Sequence, residues 1–394
     1  MAISLALIIL FGIISNYIFE KFNLPGLLGM LLTGILIGPF ALNLIDESLL
    51  NISADLRKIA LIIILLRAGF GIKKSELKSI GKPAIKMSFI PGVLEGFSIS
   101  IASMIFLKFS FVQGSILGFI IAAVSPAVVV PQMINLINQK RGTDKNIPTL
   151  ILAAASVDDI FAITIMTTFI GIYNGDNINI FKKILDIPIS IFLGISIGIL
   201  VAFILIETFK KFNINNEKKI LLILASSIFI TYIEVILENI INISGLLGVM
   251  TLSFILMDRK PSLSKYLSIG FNKIWTFAEI LLFTLVGAQV NISLALNAGL
   301  IGILIIFIGL IFRSLGVFIS LRNTNLTSKE IIFCIISYVP KATVQAAMGA
   351  VPLSMGVASG DLILAISVVA ILITAPLGAF SINATSKTLL NKSK

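Results

Sequence analysis

The chain of 394 residues contains no histidine and a single cysteine, and Asp, Glu, Lys and Arg together make up only 12% of it. Without imidazole, control by pH has to come from other titratable groups. The lone Cys334 carries no disulfide or redox pattern. Scarce charge beside 57% hydrophobic residues and a mean hydropathy of +1.08 excludes an ordinary soluble domain. What takes the place of charge is a succession of apolar runs of about 18 residues or more, the length that crosses a bilayer as a helix. These runs are continuously apolar, not alternating, which excludes a transmembrane β-barrel. The expected fold class is an all-α polytopic membrane protein of about thirteen transmembrane helices.

Charge distribution orients those spans. Lys and Arg accumulate in the loops that follow odd-numbered spans: Lys73 to Lys86, Lys140 to Lys145, Lys210 to Lys219 and Arg259 to Lys273, with Lys387 and Lys392 in the tail. The opposite loops hold only Arg57, Lys58, Lys108, Lys182 and Lys183. Positive loops stay on the cytoplasmic side, so the N-terminus is expected outside and the C-terminus inside, in a membrane of bacterial plasma-membrane type. The net charge of +11 then reflects loop orientation toward an anionic leaflet, and no nucleic-acid partner is expected. The first segment, 2–19, lacks a basic start and a small-residue cleavage site and is read as a retained span.

The sixth expected span, 147–173, contains LILAAASVDDIFAITIMTT, with Asp158 and Asp159 adjacent in its middle. A carboxylate at mid-bilayer costs roughly 2.5–3.5 kcal/mol, so two side by side call for water, a cation, a basic partner or a proton. On a helix they diverge by about 100°, so one can face a cavity while the other meets a neighbouring helix. Neighbouring carboxylates resist simultaneous ionisation, and the pair is expected to bind H⁺ or Na⁺ in competition. Oxygen ligands beside them would come from Ser156 or Thr164, and from backbone in the fifth span. That span, 112–138, carries Pro126 and Pro131 in AAVSPAVVVPQM, so a break is expected from Ser125 to Val130, with Ser125 and Val128 as further candidate ligands.

Other polar residues fall at similar depth. Span 4 holds Glu95, span 11 holds Arg313, and span 12, 329–353, holds Pro340 and Lys341. Aligning Gly26 with Gly245 and Gly29 with Gly248 relates span 2 to span 9 across seven spans, an odd number that reverses direction. This predicts two inverted five-helix repeats, spans 2–6 and 9–13, although small residues also recur in packed membrane helices without symmetry. Under the repeat, Glu95 falls one position from Arg313, which predicts an intramembrane ion pair, and span 12 becomes the partner of span 5 as a second discontinuous helix. Lys341 would offset the negative carbonyl ends where the two cross. Arg67 reads as a side chain snorkelling toward headgroups. Glu234 and Glu238 read as wet residues near the outer end of span 8.

The strings LRKIALIIILLRAG (56–69), LGFIIAAVSPAVVVPQM (117–133), IPTLILAAASVDDIFAIT (147–164) and VPKATVQAAMGAV (339–351) resemble the monovalent cation:proton antiporters of NhaA-type fold, most closely the branch of animal NHA-type sodium/hydrogen exchangers. The resemblance implies an antiporter, not an enzyme, that exchanges Na⁺ or Li⁺ for H⁺ without a cofactor, by an elevator-like motion in a homodimer. It implies a dimerisation scaffold at 1–72 and 218–292, a mobile core at 83–173 and 296–383, and a linker helix at 184–209. Asp159 would be the main cation carboxylate and Asp158 its neighbour. Arg313 would stand where electrogenic relatives carry a lysine that pairs with the first aspartate, and an arginine does not easily give up its proton. K⁺/H⁺ exchange is the alternative that the same motif can serve, and a sodium-coupled organic-anion symporter on the same architecture is a more distant one.

Overall fold

The computed structural model describes residues 1–22, 26–72, 74–175, 180–212, 214–237, 241, 243–290 and 292–392, with side chains other than those of 75–80, 180–185 and 292–298. Lys73, Glu238 and the side chains of Lys182 and Lys183 lie outside the described residues. The described residues are helical with short connections and contain no β-strand. In chain order the helices are α1 (Ala2–Lys21), α2 (Gly26–Ile37), α3 (Glu47–Asn51), α4 (Ser53–Gly71), α5 (Lys74–Phe106), α6 (Phe111–Ala122), α7 (Pro126–Asn138), α8 (Ile147–Tyr173) and α9 (Ile180–Lys211). They continue with α10 (Asn216–Leu237), α11 (Gly245–Arg259), α12 (Pro261–Ala288), α13 (Ile292–Leu321), α14 (Ser328–Ser337), α15 (Thr343–Met348), α16 (Val351–Ser354) and α17 (Gly360–Leu389). Among the described residues, nine stretches are long and apolar enough to cross a membrane.

The helices sort into two packed groups. One joins α5 to α6, α8 and α13, with α17 against α13 and α14; the other joins α2 and α4 to α12, and α4 and α9 to α11, with α1 on α2. Contacts between α4 and α7 and between α8 and α9 connect the groups. Close approach is specified by glycine: a Cβ on Gly118 of α6 would strike the Gly96 carbonyl of α5, and one on Gly287 of α12 would strike the Leu31 carbonyl of α2. Buried hydroxyls in these helices return their protons to their own backbone, as Ser100 does to the Gly96 carbonyl at 2.7 Å and Thr374 to the Ala370 carbonyl at 2.7 Å.

Two details depart from the sequence expectations. The helix expected from residue 83 starts at Lys74, so much of the basic stretch forms an N-terminal extension of α5, and Lys74 lies 3.5 Å from Asp258. The interruption expected at 125–130 falls at 123–125 instead. Pro126 occupies the first turn of α7, where its missing N–H has no helical acceptor to leave empty, and α7 runs on through Pro131. Gly299, at φ +56°, kinks α13 close to its start.

Candidate functional site

Two helical paths are interrupted at the middle of the molecule, and the interruptions touch. The Ser125 N–H, in the gap between α6 and α7, donates to the Pro340 carbonyl in the gap between α14 and α15 at 2.8 Å. Each first half is fixed by a reciprocal cap: Ser110 with Gln113 on α6, and Thr327 with Glu330 on α14. Lys145, from the connection between α7 and α8, holds Glu330 at 2.8 Å.

A helix that stops inside a bilayer leaves carbonyls without partners at its C-terminal end, where the dipole is negative. Here cations and amides meet them. The Arg313 guanidinium, 1% exposed on α13, donates from Nε to the Tyr338 carbonyl at the end of α14 at 2.6 Å, and from Nη1 to the Ala122 carbonyl at the end of α6. Lys341 Nζ lies 3.4 Å from the same Ala122 carbonyl. Gln345 Nε2 donates to the carbonyls of Ile120 at 2.9 Å and Ala123 at 3.0 Å. At the opposite polarity, where α7 begins, the Val124 N–H donates to Asp158 Oδ2 at 2.8 Å.

The carboxylates divide by partner. Glu95 is fully buried on α5, and its Oε2 accepts from Arg313 Nη1 at 2.6 Å and from Lys341 Nζ at 2.6 Å. Asp158 is 1% exposed and lies 3.2 Å from Arg313 Nη2. Asp159 lies one residue on, rotated about 100° around α8. It lines a cavity of about 490 Å³ with Ser156, Thr164, Thr343 and the apolar Leu65 and Ile163. Its Oδ1 is buried without a hydrogen-bond partner, and among the described residues Asp159 makes no ion pair.

The structure therefore brings Asp158, Asp159, Glu95, Arg313 and Lys341 into one cluster at the two gaps. Ser156 and Thr164 share the Asp159 cavity. Ser125 is buried with an unpartnered hydroxyl, and Val128 sits buried in the first turns of α7; neither lines that cavity. Arg67 does not reach away from the protein: its Nε donates to Asn272 Oδ1 at 2.6 Å, its guanidinium stacks 5.2 Å from the Trp275 ring, and it lines a second cavity of about 610 Å³ with Glu20 and Glu279. Glu234 is half-buried and lines the Asp159 cavity, as do Arg57 and Lys58.

Sequence reasoning missed three features of this cluster. Glu95 takes Lys341 as well as Arg313, Arg313 bridges both helix ends, and Gln345 closes the end of α6. The amide in PKATVQAA was the one available signal, since a glutamine in an apolar, proline-broken span needs partners as a charge does.

Interrupted helices whose ends are neutralised by fixed cations, around a half-buried carboxylate open to a cavity, define a polytopic membrane transporter and not an enzyme. Residues 6–388 match the family model described as the transmembrane domain of sodium/hydrogen exchangers. Sodium/hydrogen exchanger 9B2 of Mus musculus is 33% identical over 393 residues, covering 94% of this chain and 69% of that one. Human sodium/hydrogen exchanger 9B1 is 33% identical over 374 residues, covering 90% and 70%. Among solved structures, the sodium proton antiporter MjNhaP1 from Methanocaldococcus jannaschii superposes with a TM-score of 0.79 at 23% identity, over 98% of this chain and 97% of that one. The chain belongs to the sodium/hydrogen exchanger family.

Proposed function

We propose that this protein is a secondary antiporter that exchanges Na⁺, or Li⁺, for H⁺ at Asp159. The observation that carries the reading is the charge arrangement of the buried cluster. Three carboxylates face two cations; Arg313 and Lys341 bracket Glu95, Arg313 also holds Asp158, and the charge left over is that of Asp159, on the cavity. An ionised Asp159, half-buried beside apolar walls with its Oδ1 shielded from solvent, is costly, so it takes a proton or a hard cation, and the two compete for it. Ser156 and Thr164 offer hydroxyl oxygen beside it.

Arg313 is the anchor of the charge balance. Because a guanidinium stays protonated, Asp158 remains a compensated anion through the cycle, and only Asp159 changes occupancy. The exchange is then one cation for one proton and electrically silent. K⁺ in place of Na⁺ would leave this arithmetic unchanged, so the flux assay carries Na⁺, Li⁺ and K⁺ arms.

The Asp159 cavity lies on the seam between the two packed groups, with Leu61, Leu65 and Val286 on one wall and Ile163 and Val344 on the other. At the opposite end of the same seam is the second cavity, with Arg67 and Trp275 on one wall and Gln132 and Asn135 on the other. This supports an elevator: a core of α5–α8 and α13–α17 slides against a scaffold of α1, α2, α4 and α10–α12, joined by α9. The core slides when Asp159 is neutralised, since carrying a bare carboxylate past the apolar seam would cost roughly 2.5–3.5 kcal/mol. Matching caps on α6 and α14 and matching interruptions after them support the inverted repeat of thirteen spans, α2–α8 with α11–α17. The distribution of Lys and Arg supports an outer N-terminus, with the Asp159 cavity opening outward; it bears on sidedness and not on compartment. The scaffold would form the homodimer contact.

Reconstituted into liposomes, the protein should acidify or alkalinise the lumen in response to an imposed Na⁺ gradient, with no dependence on membrane voltage. Proton flux that ignores all three alkali cations would overturn the assignment.

A further inference from the structure

We propose that the Thr343 hydroxyl, on the second interrupted helix, is a ligand of the transported cation opposite Asp159. This deepens the reading of Asp159 as the carrier carboxylate and rests on it.

The observation is a buried hydroxyl oxygen without a hydrogen-bond partner on the wall of the cavity that holds Asp159. Ser100, Ser103, Ser156, Ser367 and Thr374 each donate to the carbonyl four residues back, at 2.7–2.8 Å. Thr343 has no such acceptor. It is the first residue of α15, and residues 338–342 before it are not helical, so the carbonyl four residues back does not sit under its side chain. The result is a Thr343 Oγ1 that is buried and has no hydrogen-bond partner, on the wall of the cavity that holds Asp159. Asp159 Oδ1 is the other buried oxygen without a partner on that cavity. Ser125 Oγ and Gln345 Oε1 are also buried and unpartnered at the gaps but do not line it.

A buried hydroxyl without a partner costs free energy in the empty protein, and a dehydrated alkali cation would recover it. A proton on Asp159 needs one carboxylate oxygen, whereas a hard cation needs several oxygens around it. Thr343 therefore acts on one of the two competing ions. It lowers the apparent KM for Na⁺ and leaves proton binding alone. Because it comes from α15 while Asp159 comes from α8, the bound cation also ties the second interrupted helix to the carrier carboxylate.

The test is Na⁺-driven proton flux in proteoliposomes for the wild type, Thr343→Val, Thr343→Ser and Asp159→Asn, with Na⁺-dependent thermal stabilisation in detergent as a second readout. Thr343→Val keeps the shape and removes the oxygen. It should raise the apparent KM for Na⁺ at least about tenfold and shrink the stabilisation by Na⁺, while the pH at which protons inhibit in the limit of low Na⁺ stays in place. Thr343→Ser should bring KM back to within about twofold of the wild type. A KM for Thr343→Val within twofold of the wild type would overturn the ligand role. So would a serine variant as impaired as the valine one, since that marks a packing role for the methyl group. Asp159→Asn separates the two layers: loss of exchange supports the carrier assignment, whereas retained exchange removes the site on which Thr343 depends.

Discussion

Replacing Glu95 by glutamine tests the charge balance of the cluster. The Glu95 carboxylate is fully buried, and one of its oxygens accepts from both Arg313 and Lys341 at 2.6 Å. Glu95→Gln keeps the size and removes the negative charge, leaving Lys341 with no carboxylate within ion-pair distance among the described residues; Arg313 keeps Asp158. Leaving one member of a buried pair uncompensated costs about 3–5 kcal/mol. For a chain of this size that is a fall in Tm of about 4–6 °C. The assay is melting of the detergent-purified protein, followed by fluorescence-detected size exclusion. The internal control is Glu95→Gln combined with Lys341→Met, which removes both partners; a buried ion pair replaced by groups of similar volume is often neutral, so most of the loss should return. A single variant that melts within about 1 °C of the wild type, or a double variant no better than the single, would refute the reasoning.

Further outcomes follow from the same geometry. Arg313→Lys replaces five fixed donors by one titratable ammonium, which cannot reach Glu95, Asp158 and the carbonyls of Ala122 and Tyr338 together; transport that survives should become voltage-dependent, read as current on a solid-supported membrane. Gln345→Leu leaves the carbonyls of Ile120 and Ala123 without their donor and should lower stability by about 1–3 kcal/mol in the same melting assay, with no change in the Na⁺ to Li⁺ preference. Gly118→Val drives a branched side chain into the Gly96 carbonyl, separates α5 from α6, and should abolish monodisperse protein. Cys334 is fully buried, so the wild type should resist a membrane-impermeant thiol reagent, while Thr164→Cys, on the cavity, should react with it.

Much of the site was legible in the sequence because a bilayer makes polarity conspicuous. Asp158, Asp159, Glu95, Arg313 and Lys341 are visible against apolar runs, and the proximity of Glu95 to Arg313 follows from a register set by two glycine pairs. The prolines mark where helices fail but not on which side. Pro126 was compatible with a gap before or after it, and the gap lies before it because proline is well placed in a first helical turn. Rotation was the second thing hidden. Nothing in SVDDI by itself fixes which aspartate meets Arg313, since that depends on how α5, α6 and α13 pack around α8; only the family resemblance pointed to the first. The Thr343 hydroxyl was hidden for a related reason, because its lack of an acceptor is created by non-helical backbone at 338–342 and not by its own side chain. The start of α5 at Lys74 was missed because charge was read as loop, whereas Lys and Glu are good helix formers and no proline intervenes before Pro83.

Exchange of one ion for another on a single carboxylate is measured most directly as proton release on adding Na⁺ to weakly buffered, detergent-purified protein. The wild type should release one proton for each Na⁺ bound, and Asp159→Asn should release none while Asp158 remains ionised against Arg313. Two protons per Na⁺, or undiminished release from Asp159→Asn, would contradict it.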